Sequence, residues 1–412
     1  MKVVVVGGGV VGLCCARELV RRGADVTLIE RDACGAGASS GNGGWVVPAL
    51  STPIPGPGDF KKALRWMFEP DSPFLIRVRP SASLLGWCWS FWRASSHRRW
   101  RAGTAAMLRL NARTLELYDQ LRDEGIAFEM HGAGLVFAAR TAGGMKSLRA
   151  QFAMLADAGW RGSVEEWDRE RIESEEPALA NGLAGAIFAP DERHVRPESL
   201  VEGLLERIRR DGVHVAEHAA VDSARRENGR WSITAGDETY AADAAVIAAG
   251  VWTSALVRRL GVRLPVQAAK GYSLTAHGSG TTPRHALYLE EAKIGVTPFD
   301  DGTRIAGTLE LAGIDLALNT RRMTALLKGA APYLRDWQPR DPRVEWAGLR
   351  PLAPDGLPVI GGLPGQDGLY VATGHGTLGV TLAPATAALL APLVLEGTRS
   401  PELEPFRPAR FA

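Results

Sequence analysis

Cysteine is scarce in this 412-residue chain, and no cysteine follows Cys88. The cysteines are Cys14, Cys15, Cys34 and Cys88, and none of them forms a C-x-x-C pair. A disulfide framework or a structural zinc site needs cysteine patterns that this sequence lacks. We therefore expect no metal site, and we expect Cys14 and Cys15 to be small core residues of a helix.

An excess of one charge is also lacking, because 48 basic and 46 acidic residues leave a net charge of +2. This balance gives no reason to expect nucleic acid or an acidic protein as partner. Hydrophobic residues make up 46% of the chain, which is enough for a large core, and the length suggests two domains.

Long uninterrupted apolar runs are few. The run after Lys2 is broken by glycines and has no cleavage pattern, so we do not expect a signal peptide. The longest apolar stretch near the C-terminus, Leu382–Leu395, contains Pro384 and Pro392 and is too short to span a bilayer. These patterns predict a cytoplasmic protein.

Residues 3–30 have the pattern of a complete nucleotide-binding unit: an apolar strand, a glycine turn, a helix to Arg22 and a second strand. The turn matches G-x-G-x-x-G over residues 7–12. In such a turn Gly7 permits the sharp bend, Gly9 lets the backbone approach a pyrophosphate, and Gly12 lets helix and strand pack closely. The phosphates then lie at the helix N-terminus, whose dipole favours negative charge.

Glu30 follows the second strand and is placed to accept hydrogen bonds from a ribose 2′-hydroxyl, whereas it would repel a 2′-phosphate. The next segment, residues 35–44, is rich in glycine and serine and leaves no room for a helix. Such a loop suits close contact with a flat ligand, which favours FAD over NAD. A flexible surface loop is the alternative, and Trp45 directly after the segment argues for burial.

The predicted secondary-structure pattern changes twice in the middle of the chain. Residues 61–130 look helical, especially Arg101–Glu124, and Leu84–Arg101 is rich in tryptophan and arginine. That segment would suit either a domain interface or a membrane surface. Around residue 194 an alternation of helices and strands returns, with a helix over Leu200–Arg210 and a buried strand from Ala244 that ends at Gly250.

A second G-x-G-x-x-G match, residues 374–379, joins a strand over Leu369–Thr373 to an Ala/Leu-rich helix. No second strand and acidic residue follow, so we do not interpret it as another dinucleotide site. The turn and helix N-terminus are suited to the anionic edge of a reduced flavin. Without a second fingerprint NAD(P)H is not expected as reductant, and the electrons should come from the substrate.

Several segments together resemble the FAD-dependent D-amino acid dehydrogenases, in the group that contains D-amino acid oxidase, glycine oxidase and sarcosine oxidase. The segments are residues 7–30, 39–48, 270–275, 346–361 and 374–381, so the resemblance runs nearly end to end. Most specific is the pairing of Gly-Leu-Arg-Pro at 348–351 with Gly-His-Gly-Thr-Leu-Gly at 374–379. Two departures leave the substrate open: Val380 stands where these dehydrogenases tend to have Trp, and Gly43-Gly44-Trp45 replaces their Ala-Gly-Gln.

The resemblance implies a discontinuous α/β and α+β flavoprotein that oxidises a C–N bond next to a carboxylate. A Rossmann-type FAD-binding domain would comprise 1–60, 193–264 and 346–412. A substrate domain with a mostly antiparallel sheet plus helices would comprise 61–192 and 265–345. The electron acceptor would be a quinone or O2, and a peripheral membrane contact is an open alternative.

The resemblance also implies that Arg350 binds the substrate carboxylate, for which a planar guanidinium is chemically suited. His375 either touches flavin or substrate or serves the turn alone, and Lys270 is either near the flavin or at the surface. Sarcosine oxidases place an oxygen-activating lysine in the strand that here contains Ile305, which favours a dehydrogenase. The predicted catalytic and pocket residues are Arg350, His375, Lys270, Tyr272, Tyr288, Thr297 and Glu310. The predicted cofactor-binding residues are Gly7, Gly9, Val10, Val11, Gly12, Glu30, Arg31, Ser39, Ser40, Asn42, Gly43, Gly44, Val221, Gly250, Gly374, Gly376, Thr377, Leu378 and Gly379.

Three other functions share parts of this pattern. A flavin monooxygenase should carry a late Gly-Asp pair, and Ile360-Gly361-Gly362 has no such Asp. A 2-hydroxy acid oxidoreductase would keep Arg350 and differ only in its pocket. A non-catalytic flavin-binding subunit would also keep the cofactor motifs, and the sequence does not distinguish these last two from an amino acid dehydrogenase or oxidase.

Overall fold

The computed structural model describes residues 1–54, 56, 74–76, 82–277, 280–339 and 343–412. Trp66 and most of the predicted helical segment between residues 61 and 81 lie outside the described residues.

The described strands, in chain order, are β1 (Lys2–Val6), β2 (Asp25–Ile29), β3 (Trp45–Val46), β4 (Phe74–Ile76), β5 (Met130–His131), β6 (Leu135–Ala139), β7 (Glu165–Trp167), β8 (Gly185–Ala189), β9 (Arg193–Val195), β10 (His214–Ala216), β11 (Val221–Glu227), β12 (Arg230–Ala235), β13 (Glu238–Ala242), β14 (Ala244–Ile247), β15 (Gln267–Ala276), β16 (Ala286–Leu289), β17 (Ile294–Phe299), β18 (Gly302–Leu311), β19 (Arg343–Leu352), β20 (Val359–Gly362) and β21 (Leu369–Thr373).

The described α-helices are α1 (Val10–Arg21), α2 (Ala82–Ala94), α3 (His97–Asn111), α4 (Thr114–Asp123), α5 (Ala142–Asp157), α6 (Arg169–Glu175), α7 (Pro197–Arg210), α8 (Thr253–Arg258), α9 (Thr320–Ala330) and α10 (Gly379–Glu396).

The first sheet has the order β10-β2-β1-β14-β21-β20 and is parallel except for β20. Side chains of β1 alternate between its two faces, as the two-residue period of a strand requires. Val3 and Val5 pack with α1, α7 and α10, whereas Val4 and Val6 pack towards the small sheet β11-β12-β13. Both faces are therefore covered, which explains why β1 is apolar at every position after Lys2.

The second sheet has the order β19-β15-β18-β17-β16-β6-β8-β7, with β4 paired to β18. Most neighbours are antiparallel, and the parallel pairs are β16 with β6 and β4 with β18. Helix α9 packs on one face and α5 packs near β6 and β8. The mixed fold class expected from the sequence is confirmed, while the exact domain boundaries stay a prediction.

Helix α10 lies in the interior, against α1, α3 and α4. By length and composition it could cross a membrane, but 61% of it is buried inside the protein, as in the core helix of a globular fold. The helix continues through Pro384 and Pro392 as one unbroken element, as predicted.

The predicted helix Arg101–Glu124 is two helices, because the chain turns at Ala112 and Arg113 between α3 and α4. The turn brings two side chains of α4 to α10: Thr114 Oγ1 donates to the Thr381 carbonyl at 3.2 Å and the Tyr118 hydroxyl donates to the Val380 carbonyl at 2.8 Å. These buried hydrogen bonds explain the break, which hydrophobic spacing alone does not show.

Gly12 offers a test of the close packing between α1 and the glycine turn. A Cβ at residue 12 would collide with the carbonyl oxygen of Gly7. We expect Gly12→Ala to lower the free energy of unfolding by about 1–3 kcal/mol, the usual range for overpacking, as measured by urea titration in excess cofactor.

Gly86→Ala in α2 is the matched control, because a Cβ there meets no atom within 4 Å. The control should be neutral or stabilising by about 0.5–1 kcal/mol, since alanine favours a helix over glycine. Equal effects of the two changes would show that the close approach at Gly12 is not needed.

Candidate active site

One cavity of about 930 Å³ extends from the glycine turn after β1 to the ends of β18 and β19 in the second sheet. This volume lies at the upper end of the range for small-molecule sites. Both sheets contribute to its lining, and so do α2, α5 and the first residues of α10.

At the nucleotide end, Gly7, Gly9, Val10 and Val11 line the cavity. The backbone N–H of Val10, at the start of α1, donates to Ser39 Oγ at 2.9 Å. Gly7 has φ +116°, and a Cβ there would lie 2.5 Å from the Ala248 carbonyl oxygen, so the turn requires glycine. The turn and the N-terminus of α1 thus border a space that an anion can enter.

Glu30 directly follows β2 and lines the cavity. One carboxylate oxygen accepts the Gly8 N–H at 2.6 Å and the other accepts the Asp32 N–H at 3.0 Å. These two bonds hold the carboxylate beside the glycine turn, where an adenosine ribose would lie. Next to it, the Arg31 guanidinium stacks on Trp252 at 4.3 Å.

The remaining predicted cofactor residues separate into two groups. Cavity-lining residues are Arg31, Ser39, Asn42, Gly43, Gly44, Val221, Gly250, Gly376, Thr377, Leu378 and Gly379. Ser40, Gly12 and Gly374 lie outside the lining. Ser40 Oγ donates to the Gly35 carbonyl at 2.7 Å, so it shapes the loop, and Gly374 has φ +75° and serves the turn after β21.

Asn42 folds the glycine-rich loop of residues 35–44 on itself. Its Nδ2 donates to the Ala38 carbonyl at 3.1 Å, and its Oδ1 accepts the Gly44 N–H at 2.8 Å. Gly44 has φ +68°, and a Cβ there would collide with the Val195 carbonyl oxygen. The loop is therefore ordered by its own hydrogen bonds, and the surface-linker interpretation is wrong for this segment.

At the other end, Arg350 on β19 lines the cavity, and its Nη1 donates to the Thr308 carbonyl at 2.7 Å. Within the described ranges no carboxylate pairs with it. Burial lowers the pKa of Arg350 to about 10, which leaves the guanidinium charged at neutral pH. Most of its N–H donors are thus available to a ligand in the cavity.

Two backbone features support Arg350. Gly271 on β15 lies beneath it, and a Cβ there would collide with the guanidinium. Thr308 has φ +63°, a rare conformation for a β-branched residue, at a register shift between β15 and β18. This bulge directs the Thr308 carbonyl towards Arg350, and strained backbone of this kind is typical of functional sites.

His375 lies in the turn before α10 and lines the cavity. Its Nε2 is 3.0 Å from Thr386 Oγ1, and burial lowers its pKa to about 4, so the ring is neutral near pH 7. The same turn is tied to the Arg350 strand, because Gly376 N–H donates to the Pro351 carbonyl at 2.9 Å.

Another wall of the cavity is formed by Trp45, Tyr288 and Lys293. Trp45 Nε1 donates to Thr297 Oγ1 at 2.9 Å, and Trp45 contacts Tyr288 edge to face at 6.1 Å. Thr297 itself is buried and donates to the Gly43 carbonyl at 2.8 Å, so it links this wall to the glycine-rich loop of residues 35–44.

Lys270, Tyr272 and Glu310 are not brought to the cavity, and their predicted catalytic role is not supported by their position. The Tyr272 hydroxyl donates to Glu310 at 2.8 Å, and Lys270 is buried and bonded to Asp315 at 3.1 Å and to the Ala317 carbonyl. Lys270 and Tyr272 share one face of β15, whereas Gly271 between them contacts Arg350 on the other face. Lys270 is therefore neither a flavin contact nor a surface lysine.

Ile305 does not face the cavity, so its identity does not bear on the choice between dehydrogenase and oxidase, which stays open. Its side chain is fully buried in the core on the far face of β18, while Ala306 on the near face lines the cavity. The lysine that does line the cavity is Lys293, just before β17. Its Nζ bonds Glu290 at 2.7 Å; burial lowers its pKa, but Tyr288 and Glu290 outweigh burial and raise the pKa above its usual value.

Sequence reasoning missed several parts of the lining. Among them are Trp87 and Phe91 of α2, the α5 residues, the bulge at Thr308, and Lys293. The rarity of lysine was the available signal for Lys293, whereas the bulge leaves no sequence pattern.

These features fit FAD: a glycine cradle at a helix N-terminus, an acid beside the ribose position and a glycine-rich loop at a large cavity. The match to the family model described as DAO, FAD dependent oxidoreductase, covers residues 2–393.

Three solved structures illustrate the likeness. Glycine oxidase from Geobacillus kaustophilus is 24% identical, with 98% of each chain covered and a TM-score of 0.77. L-proline dehydrogenase from P. horikoshii is 18% identical, with 100% of this chain and 97% of that chain covered and a TM-score of 0.76. L-alpha-glycerophosphate oxidase from Mycoplasma pneumoniae, with FAD bound, is 15% identical, with 97% and 96% covered and a TM-score of 0.75.

At these identities the solved structures support the fold, and the family match supplies the activity class. The chain belongs to the DAO family, and it is an FAD-dependent oxidoreductase.

Proposed function

We propose that this enzyme oxidises the C–N bond of an amino acid, in the first instance a D-amino acid, with glycine or a secondary amino acid as the alternatives. The observation that carries the proposal is the unpaired Arg350 guanidinium, which lines the cavity. This site supports a D-amino acid dehydrogenase or a related amino acid oxidase.

Arg350 differs from two other cations of the lining in having no carboxylate partner among the described residues. At the nucleotide end Arg31 pairs with Asp32, and Lys293 pairs with Glu290, so the charges of Arg31 and Lys293 are compensated. An anionic substrate is therefore attracted to Arg350. A guanidinium can bind a carboxylate through two N–H groups, which orients the adjacent α-carbon.

Bound FAD would accept the α-hydrogen of the substrate together with its electron pair. The chain's own residues hold the substrate: Arg350 binds the carboxylate, and the apolar side chains of Trp87 and Phe91 exclude water. Among the described residues no carboxylate lines the cavity near Arg350, and burial makes the neutral His375 ring a weak base, so the substrate ammonium loses its proton to water. The resulting imine reacts with water to give the 2-oxo acid and ammonia, or the free amine when the substrate is a secondary amino acid.

The main alternative is a 2-hydroxy acid oxidoreductase, because a hydroxy acid offers Arg350 the same carboxylate. Anaerobic mixing of the FAD-loaded enzyme with matched amino acids and 2-hydroxy acids separates the two. Bleaching of the flavin absorption by amino acids supports the proposal, bleaching only by hydroxy acids replaces it, and no bleaching by either class contradicts both substrate assignments.

Glu30→Ala tests recognition of the cofactor. Removing a charged hydrogen-bond acceptor costs roughly 1.5–3 kcal/mol, so FAD affinity of the apoprotein should fall about ten- to a hundredfold in a fluorescence titration. Asp32→Ala, also at the nucleotide end of the lining, is the control and should change the affinity less. Unchanged affinity in Glu30→Ala would assign Glu30 to the glycine turn alone.

Arg350→Ala tests recognition of the substrate. Truncating one side of a desolvated charge pair costs about 2–5 kcal/mol, so kcat/KM should fall by roughly 10²-fold or more while the flavin spectrum stays normal. Arg350→Lys should recover part of the loss, because an ammonium lacks the two-pronged geometry.

Arg343→Ala on the exposed end of the same strand is the matched control, and its kcat/KM should equal that of the wild type. Reduction of the Arg350→Ala flavin by amino acids at wild-type rate and affinity would make Arg350 structural and remove the proposal's basis.

Lys293 favours O2 as a candidate acceptor, because a cation at the cavity stabilises negative charge that develops on dioxygen. Lys293→Met should slow reoxidation of the reduced enzyme by O2 about 10²-fold and leave its reduction by substrate unchanged, as measured by stopped-flow absorbance. Exposed Lys328→Met is the control. A wild-type enzyme that consumes no oxygen with its substrate would instead indicate a quinone acceptor.

A further inference from the structure

Helix α2 has two different faces. Its inner face carries Trp87 and Phe91, which are buried and line the cavity. Its outer face carries Leu85, Trp89 and Trp92, with exposed fractions of 65%, 59% and 48%. The outer residues are spaced at i, i+4 and i+7, so they form one stripe along the helix.

Exposed tryptophans on a protein surface require an explanation, because large apolar side chains are usually buried or serve as contact sites. Trp89 and Trp92 contact each other with ring centroids 4.9 Å apart, so they form one continuous apolar patch. Tryptophan is enriched where an apolar phase meets a polar one, since its ring is apolar and its N–H is polar.

Basic residues surround the patch. The segment 82–113 contains no Asp or Glu. Arg93 ends α2, and exposed His97, Arg98, Arg99 and Arg101 follow in the first turns of α3. Across the described residues none of these arginines forms an ion pair, and Arg99 donates only to the Arg93 carbonyl, at 3.4 Å.

The N-terminus of α3 is an unfavourable place for this cluster of cationic side chains unless an anion neutralises them. A helix N-terminus carries partial positive charge and favours anions, yet the first turn of α3 has no acidic residue and Ser96 makes no side-chain cap. His97, Arg98 and Arg101 line a shallow groove there. An anionic group at this groove would relieve both the dipole and the repulsion between the side chains.

We propose that this α2–α3 surface, formed by Leu85, Trp89, Trp92, Arg93, His97, Arg98, Arg99 and Arg101, docks on an anionic lipid bilayer. The tryptophans and Leu85 enter the interface between headgroups and acyl chains, and the arginines contact lipid phosphates. Charge complementarity decides against a second copy of this chain, because a twofold contact would place these arginines against the same arginines. Since the inner face of α2 lines the cavity, the docked helix separates the bilayer from the catalytic cavity.

The test is sedimentation of the FAD-loaded enzyme with vesicles of phosphatidylcholine, with and without phosphatidylglycerol. We expect binding to the anionic vesicles that decreases as salt rises, because exposed charges are screened. Arg98→Glu with Arg99→Glu should weaken binding by roughly tenfold or more, and Trp89→Ser with Trp92→Ser should also weaken it. Flavin absorption and the thermal midpoint should stay near those of the wild type, because all four side chains are exposed.

Two control variants carry the same kinds of substitution on other surfaces of the protein. Arg225→Glu alters an exposed arginine on the separate sheet β11-β12-β13, and Val164→Ser alters an exposed apolar residue beside β7 at the opposite edge of the large sheet. Both should bind vesicles like the wild type. Failure of the wild type to bind anionic vesicles, equal binding by the tryptophan variant, or loss of a dimer in that variant by light scattering would each overturn the proposal.

Discussion

The pairing of β15 with β19 determines which side chains of the larger sheet face the cavity. The two strands pair over ten residues, from Gln267 opposite Leu352 to Ala276 opposite Arg343, without a register shift. Because side chains alternate, a slip of one residue would exchange the two faces of the strand. The observed register places Gly271 under Arg350 and directs Lys270 and Tyr272 into a polar cluster with Glu310 on the far face.

On its other side, β15 pairs with β18, and there the register does shift. The shift lies opposite Lys270 and Tyr272 and includes Thr308 with its positive φ. A regular ladder would use the Thr308 carbonyl for strand pairing, whereas the bulge leaves that carbonyl free to accept the Arg350 N–H. The strain therefore has a structural effect: one donor of Arg350 is held by the protein, so the guanidinium has a defined orientation before any ligand arrives.

The nucleotide end could be predicted from the sequence because each of its parts has a local signature. The glycine turn, the position of Glu30 and the helix after residue 378 depend on residues close in the chain. The substrate end was less predictable than the nucleotide end, because β15 is buried on both faces and shows no alternation of polar and apolar residues. Without alternation the sequence does not say whether Lys270 or Gly271 faces the cavity. For the same reason, the position of Ile305 within β18 could not be distinguished from that of its neighbour Ala306.

Arg350 differs in its partner from other buried cations of the larger sheet. Arg304 and Lys270 each pair with an acidic residue, Glu198 and Asp315 respectively. Arg350 instead has a carbonyl as its partner, which satisfies one donor but leaves its charge uncompensated.

A ligand carboxylate supplies the missing charge of Arg350, whatever group the neighbouring carbon carries. In the proposed function Arg350 therefore selects for a carboxylate. The choice between an amine and a hydroxyl then depends on the proton that leaves the substrate nitrogen or oxygen before the α-hydrogen is transferred. An ammonium can release that proton to water near neutral pH, whereas an alcohol needs a base. The described lining at the Arg350 end has no carboxylate, and His375 is a weak base there because burial lowers its pKa to about 4, which supports the proposed amine substrate over an alcohol.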